Sequence, residues 1–288
     1  MVGPQVPNYR VRIPESPNAP YRLGRNVNHD PRSLRYLVGQ PVRAIQSVLH
    51  ERQVPVFDQG QVGSCVGNAT IGDVGTAPLY GALPPSHPVL DETLALKTYS
   101  IATQEDDYDG SYPPDDTGSD GLSGAKAAQK LGLISGFLHA TSLLGMQSGL
   151  QDLPMIAGTN WTEGMFNPDS SGQVHVTGDV AGGHEYSVIG LDVDKKLFHC
   201  VNSWGESWGI KGHFFISFAD MDALLHASGD CTQLLPLTAP PPIPAPVADK
   251  DLDAWWSATR AWAHGRHVGG NAAAAKAALT FAKAKGLT

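Results

Sequence analysis

The sequence predicts an α+β fold in which a helical lobe precedes a lobe of antiparallel sheet. Two patterns predict it. Apolar and small residues recur at helical spacing in the first part of the body, and short runs rich in Val, Ile, Phe and Tyr occupy the second part. Helices followed by strands, without regular alternation, are typical of α+β proteins. The chain has 288 residues, 41% of them hydrophobic, which is enough for a substantial core.

The body is predicted to extend over 54–237. Its helical part is predicted to contain three helices, at 65–80, 90–103 and 124–133. Its second part is predicted to contain strands at 185–193, 196–202 and 213–218. Turns that contain Gly or Asp separate these strands, as an antiparallel sheet requires.

The N-terminal residues 1–53 predict an extended arm that wraps the body instead of forming a domain. Prolines interrupt almost every helical pattern in this arm. Only 43–51 has the spacing of a short helix.

The C-terminal part predicts a linker followed by a helical tail. Five prolines in 238–248 favour an extended linker, because proline lacks a backbone donor. Residues 249–288 predict a helical hairpin that carries Trp255, Trp256 and Trp262. Two interpretations remain open for these tryptophans: they dock onto the body, or they form a contact surface for a protein partner or an oligomer.

Composition and charge exclude two classes of partner. The formal net charge of −8, without a basic stripe, argues against binding nucleic acid through its phosphates. The sequence has no apolar window long enough to span a membrane and no pattern of a secretion signal near Met1. We therefore expect no membrane partner and a cytoplasmic or virion-associated location.

The chain contains three cysteines, Cys65, Cys200 and Cys231, and no CxxC pair. Neither a disulfide framework nor a cysteine-rich zinc site is indicated, and the odd count leaves at least one free thiol. The histidines at 175, 199 and 213 form no known metal motif, so they are expected to be ordinary core or surface imidazoles. Trp161 and Trp208 are expected in the core or in a cleft wall.

Cys65 has the position of an activated nucleophile. It follows a Gly-rich turn and begins a predicted helix. The free N–H groups and partial positive charge of a helix N-terminus stabilise a thiolate. Gln59 lies six residues earlier in the same turn, from where its side-chain amide can reach the position of an oxyanion above the sulfur.

Two later segments supply the partners that such a nucleophile needs. His184 follows a glycine pair at the head of a predicted strand, and Asn202 lies on the next strand. A histidine base requires a group that orients its second ring nitrogen, and an asparagine side chain can do this. Cys65, His184 and Asn202 therefore form a chemically complete set.

These three blocks resemble those of the papain-like cysteine peptidases, peptidase family C1, in a bacterial or phage-like form. The resemblance extends over 58–218 and rests on Gly-Ser-Cys65, Gly-Gly-His184 and Asn202-Ser-Trp204-Gly. It implies a two-lobe fold, a helical lobe with a central helix and an antiparallel, barrel-like β lobe, to which the C-terminal helical hairpin is added. It further implies that Cys65 is the nucleophile, His184 the base, Asn202 its orienting group and Gln59 an oxyanion donor.

The resemblance also suggests residues that contact substrate. Trp204 matches the indole that shields the bond between the base and its orienting amide. Gly118 and Ser119 match a glycine pair that aligns the substrate main chain, and Gly183 belongs to the pair that permits close approach.

Two substitutions and one missing segment distinguish this chain from the family pattern. Val62 stands where secreted members have a disulfide cysteine, and Val66 replaces an aromatic residue after the nucleophile. The arm has no long helical inhibitory segment, so zymogen control of that kind is not expected.

Residues 105–120 hold seven carboxylates and neither Lys nor Arg. They form either a solvated surface loop or a region that favours basic substrates beside the cleft. The spacing does not match a calcium-binding loop.

The predicted function is that of a cysteine-type endopeptidase, a hydrolase that cleaves a polypeptide or peptide substrate through an acyl-enzyme and without a metal or organic cofactor. Two alternatives remain. One is a lysin-type enzyme of phages or bacteria that cleaves cell-wall peptides. The other is a catalytically silent papain-like protein used for binding or assembly.

Overall fold

A computed structural model describes residues 9–39 and 44–237. The predicted linker 238–248 and helical tail 249–288 lie outside the described residues. No helix in the described part of the chain has the length and apolar character needed to cross a membrane.

The helical lobe is built around one buried helix. Helix α1 (Cys65–Val74) is buried at every position and packs against α2 (Glu92–Glu105), α3 (Gly121–Lys130) and the sheet. A Cβ on Gly67 would lie 2.1 Å from the carbonyl oxygen of Ala95, so α1 and α2 approach at a distance that only glycine permits. Asp91 and Asp120 cap α2 and α3 by accepting hydrogen bonds from main-chain N–H groups in the first turn of each helix.

The second lobe contains a seven-stranded antiparallel sheet. Its strands are β3 (Val48–Leu49), β4 (Gly136–Ala140), β5 (Met155–Thr162), β6 (Val180–Asp192), β7 (Leu197–Val201), β8 (His213–Ser217) and β9 (Asp230–Leu235). The order is β4-β9-β5-β6-β7-β8, and β3 pairs with β6. Two short helices, α4 (Leu143–Gly149) and α5 (Phe218–His226), complete this lobe. The α+β class and the two-lobe arrangement predicted from the sequence are confirmed.

The N-terminal part contains a separate two-stranded ladder formed by β1 (Tyr9–Val11) and β2 (Val27–His29). A 3-10 helix, Pro31–Tyr36, follows. The helix predicted at 43–51 is wrong, because Val48 and Leu49 form β3 opposite Leu191 and Gly190 of β6. The available edge of β6 outweighs a weak local helical pattern.

The predicted helices and strands differ from the observed ones mainly at their ends. Helix α1 ends at Val74. Gly75 is its C-cap residue and donates its N–H to the carbonyl oxygen of Ile71. Strand β6 begins five residues before the predicted start. The predictions for Trp161 and Trp208 are confirmed, since both side chains are buried in the core beside the cleft.

Candidate active site

Cys65 begins the central helix and lies against strand β6. Its side chain is fully buried. Burial raises the pKa of the Cys65 thiol well above its usual range, and the nearby Glu185 carboxyl adds to the rise. Burial at this position therefore favours the thiol over the thiolate. Cys200 and Cys231 are also free, buried thiols.

His184 and Asn202 are joined across neighbouring strands. The Nε2 atom of His184 lies 2.7 Å from Oδ1 of Asn202, which also accepts a hydrogen bond from the main-chain N–H of Ser203 at 2.8 Å. Because a carbonyl oxygen only accepts, Nε2 carries the hydrogen and Nδ1 keeps its lone pair. Nδ1 is buried without a hydrogen-bond partner. Burial lowers the pKa of His184 to about 4, and the bond to Asn202 opposes that change.

Indole rings shield this pair from water. Trp204 stacks on His184 with ring centroids 4.7 Å apart, and Trp161 meets the imidazole edge-on at 4.9 Å. The arrangement holds the imidazole plane and keeps its hydrogen bond in a dry environment, where that bond is strong.

Gln59 is fixed as a donor directed into the cleft. Its Oε1 accepts a hydrogen bond from Ser203 Oγ at 2.6 Å, which leaves Nε2 to donate. Nε2 donates to the carbonyl oxygen of Val62 at 2.9 Å and to that of Arg22 at 3.2 Å. The Arg22 carbonyl also accepts a hydrogen bond from Trp204 Nε1 at 3.1 Å. A peptide carbonyl therefore already occupies a position between these two donors.

That carbonyl belongs to residues 21–26, which lie across the site and which we call the covering segment. Its main chain is bound on both sides of the cleft. The N–H groups of Gly24 and Arg25 donate to the Gly183 carbonyl at 3.1 and 2.9 Å. Ser119 donates to the Gly24 carbonyl at 2.9 Å and accepts from the N–H of Asn26 at 2.7 Å.

The side chains of the covering segment also fill the cleft. Tyr21 stacks on Trp204 with centroids 4.7 Å apart, and Leu23 is fully buried. A Cβ on Gly118 would lie 2.2 Å from the Gly24 carbonyl oxygen, so the main chains are in close contact there. All four residues suggested by the resemblance to contact substrate, Gly118, Ser119, Gly183 and Trp204, thus contact a polypeptide segment of the chain itself.

The covering segment was not anticipated from the sequence. The described residues of the arm contain no α-helix, yet an extended segment of the arm lies across the site, where Cys65 and His184 are completely buried. Gly24 is the residue of the sequence that reflects this close packing. Its φ is +142°, and any Cβ there would collide with Gly63. Single-sequence patterns cannot distinguish such a glycine from one in an ordinary turn.

The acidic loop 105–120 faces basic residues of the arm. Arg10 pairs with Asp107 at 2.5 Å, Arg22 pairs with Asp116 at 2.7 Å, and Arg12 donates to the main-chain carbonyl of Asp109. Asp116 has a further role that sequence reasoning missed, since it accepts hydrogen bonds from the main-chain N–H of Gly63 and from the hydroxyl of Tyr99. The loop is thus more than a solvated surface, because it binds the arm and, through Asp116, the turn that precedes Cys65.

Within 9–39 and 44–237, no group of three or more His, Cys, Asp or Glu side chains is arranged to hold a metal ion. Of the three histidines considered in the sequence analysis for a metal motif, two pair with each other: His199 Nε2 lies 3.0 Å from His213 Nδ1. His175 bonds to Asp169 at 2.9 Å.

Comparisons with known proteins agree with the resemblance drawn from the three blocks. No protein-family model matches the chain. A cathepsin B-like cysteine proteinase of Schistosoma japonicum is 40% identical over 63 residues, which are 21% of this chain and 18% of that protein. The match therefore spans less than a fifth of the length of that relative.

Solved structures extend the likeness to the fold. Xylellain, a cysteine protease from Xylella fastidiosa, superposes with a TM-score of 0.55 at 13% identity, over 79% of this chain and 100% of that one. Digestive procathepsin L2 proteinase from the larval midgut of Tenebrio molitor gives a TM-score of 0.52 at 14% identity, over 78% of this chain and 84% of that one. The chain thus has the fold of the papain-like cysteine proteases.

Proposed function

We propose that the protein is a cysteine-type endopeptidase that hydrolyses peptide bonds with Cys65 as nucleophile, His184 as base and Asn202 as orienting group. The observation that carries the proposal is the 2.7 Å bond between His184 Nε2 and Asn202 Oδ1, which leaves Nδ1 as a free base. The papain-like fold and the local similarity to a cathepsin B-like proteinase support it.

The proposed chemistry assigns one role to each of these groups. The Cys65 thiol transfers its proton to Nδ1 of His184, and the thiolate attacks the carbonyl carbon of the scissile bond. Gln59 Nε2 donates a hydrogen bond to the resulting oxyanion, which forms where the Arg22 carbonyl now lies. His184 then protonates the leaving amine, and the C–N bond breaks to give a thioester. Water, deprotonated by His184, hydrolyses the thioester and releases the second product and the free thiol.

Substrate access requires the covering segment to leave the cleft. Ser119 and Gly183 bind its main chain through hydrogen bonds that any extended peptide can make. A substrate competes for the same donors and acceptors, so the closed arrangement is a latent form of the proposed enzyme.

The test is cleavage of an unfolded protein, followed by mass spectrometry of the fragments. We expect the full chain to produce internal cleavages and Cys65→Ala to produce none. Cys200→Ala is the matched control, because Cys200 is an equally buried free thiol on β7, where it pairs with Val188 of β6. Undiminished cleavage by Cys65→Ala would refute the assignment.

The same preparations distinguish the two alternatives. Release of new amino termini from purified peptidoglycan, without cleavage of protein, would instead support an enzyme that cuts cell-wall peptides. Binding of peptides without turnover, and without alkylation of Cys65 by peptidyl epoxides, would support a catalytically silent binding protein.

A further inference from the structure

The covering segment places a guanidinium group in a closed acidic pocket beside the catalytic residues. The Arg25 side chain is fully buried. Its Nη2 donates to Asp230 Oδ2 at 3.1 Å and to the Ser228 carbonyl at 2.7 Å. Glu185, the residue after the proposed base, is buried close to the same guanidinium.

Glycines make the room for this pocket. A Cβ on Gly158 of β5 would lie 2.5 Å from Glu185 Oε2 and 2.8 Å from Arg25 Nε, so both groups border the space that the missing side chain leaves. A Cβ on Gly121 would lie 2.4 Å from the other Glu185 oxygen. Any larger residue at either position would displace the carboxyl group.

Within this pocket, the Glu185 carboxyl group has no hydrogen bond in the closed structure. Both of its carboxyl oxygens are buried and have no hydrogen-bond partner. The Nε and Nη1 atoms of Arg25 are also buried without a hydrogen-bond partner. Burial raises the pKa of Glu185, Asp230 adds to the rise, and Arg25 opposes it. A buried carboxyl group is costly unless a cation or a hydrogen-bond donor pairs with it. The pocket is therefore suited to a cationic donor group.

The position of the pocket connects it with catalysis. The main-chain N–H of Arg25 donates to Gly183, directly before His184, and the neighbouring Gly24 carbonyl accepts from Ser119. A peptide bound through the same main-chain bonds would direct one side chain where the guanidinium of Arg25 now lies.

We propose that the pocket of Asp230, Glu185 and the Ser228 carbonyl determines the specificity of the peptidase by binding an arginine side chain of the substrate after the covering segment leaves. This inference rests on the proposed function and names its substrate class: polypeptides with arginine near the cleaved bond. Arg25 is the internal occupant of the same pocket. Asp230 is a specificity residue because it would contact the substrate guanidinium directly.

The test measures the rate at which peptidyl epoxides alkylate Cys65 in the full-length Arg25→Gln variant, in which the internal guanidinium is removed. Three peptides of equal length carry arginine, citrulline or leucine at the residue next to the epoxide, and a second set carries them one residue further away. Citrulline has nearly the shape of arginine but no charge. Intact mass and peptide mapping give the rate and the site of the adduct.

In one of the two sets, we expect the arginine peptide to react at least about tenfold faster than the citrulline peptide. This factor corresponds to the free energy of a charge-assisted hydrogen bond in a buried site. Adding Asp230→Asn should reduce the ratio between the two rates to about twofold or less. The matched control is Asp192→Asn, which neutralises an exposed carboxylate at the end of β6 that pairs with Lys195 and should leave the ratio intact.

Equal rates for arginine, citrulline and leucine peptides would overturn the pocket assignment and leave the peptidase standing. A ratio that survives Asp230→Asn would overturn the role of Asp230. No adduct from any peptide would overturn both the pocket and the proposed function.

Discussion

Removing the Leu23 side chain should expose Cys65 to solvent without unfolding the body. Leu23 is the fully buried aliphatic residue of the covering segment, and it packs against Gly182, where a Cβ would lie 2.5 Å from Leu23 Cδ1. Truncation to alanine removes part of the apolar surface that holds the segment in the cleft, while the hydrogen bonds of the segment main chain remain.

The size of the effect follows from the cost of a buried Leu→Ala change, about 2–5 kcal/mol in well-packed sites. If about 3 kcal/mol of this cost weakens docking of the segment, the fraction of molecules with an open cleft rises about 150-fold. Burial raises the pKa of the Cys65 thiol, so the closed form reacts slowly and alkylation proceeds through the open form. The alkylation rate should rise by the same factor when closing is faster than the reaction.

The assay is alkylation by iodoacetamide at constant pH, followed by intact mass and peptide mapping. Cys200 and Cys231 are internal controls, because both are buried and should stay unmodified. Leu150→Ala is the matched control: Leu150 is equally buried, at the end of α4, and its loss should lower the melting temperature without a comparable gain in Cys65 reactivity. Equal alkylation rates in wild type and Leu23→Ala would show that the segment does not gate the thiol.

Three further predictions concern the proposed catalytic groups. Asn202→Ala removes the acceptor of His184 Nε2 and should lower kcat about 10- to 100-fold, with a smaller change in KM, measured with a cleavable peptide. Gln59→Ala removes an oxyanion donor and should lower kcat about 100-fold or more in the same assay; an unchanged kcat would remove Gln59 from the mechanism. The pKa of His184 is lowered to about 4 in the folded protein. As the pH falls from 6.5 towards 4, this histidine is therefore protonated in the unfolded chain before it is protonated in the folded one. This histidine should therefore reduce the free energy of unfolding by about 2 kcal/mol between pH 7 and pH 5. Urea denaturation at the two pH values should show a loss smaller by that amount in His184→Gln, and an equal loss in both chains would contradict the reasoning.

The proposed nucleophile, base and orienting group could be selected from the sequence because each lies in a short local pattern. Gly63 and Ser64 precede Cys65 at the start of a helix, and the glycine pair precedes His184 at the head of a strand. The chemistry demands these residue types, so the patterns remain readable without the fold. The resemblance to papain-like peptidases added the expected contacts at Ser119 and Gly183.

Strands β5 and β9 were not predicted, for a physical reason. Seven of the eight residues of β5 are buried, so the strand lacks the polar alternation of a strand with one exposed face. Strand β9 comes last among the described elements and inserts between β4 and β5. That arrangement is a long-range pairing, which local patterns do not encode.

The acidic pocket could not be predicted either, because it also depends on contacts between residues far apart in the sequence. Arg25 and Asp230 are 205 residues apart, and Glu185 comes from a third element. In sequence, Arg25 is one of several arginines in a proline-rich arm, and Asp230 follows a Ser-Gly turn. Only the fold makes them partners.

Latency and specificity are coupled in this arrangement because the covering segment and a substrate use the same groups. The apparent affinity for a substrate equals its affinity for the open cleft multiplied by the open fraction. A change in Asp230 weakens the hold on Arg25 and on a substrate arginine together, so the open fraction rises while the affinity of the open cleft falls. The two effects oppose each other for arginine substrates but not for neutral ones, which gain from opening alone. Loss of the pocket charge should therefore broaden specificity more than it lowers total activity.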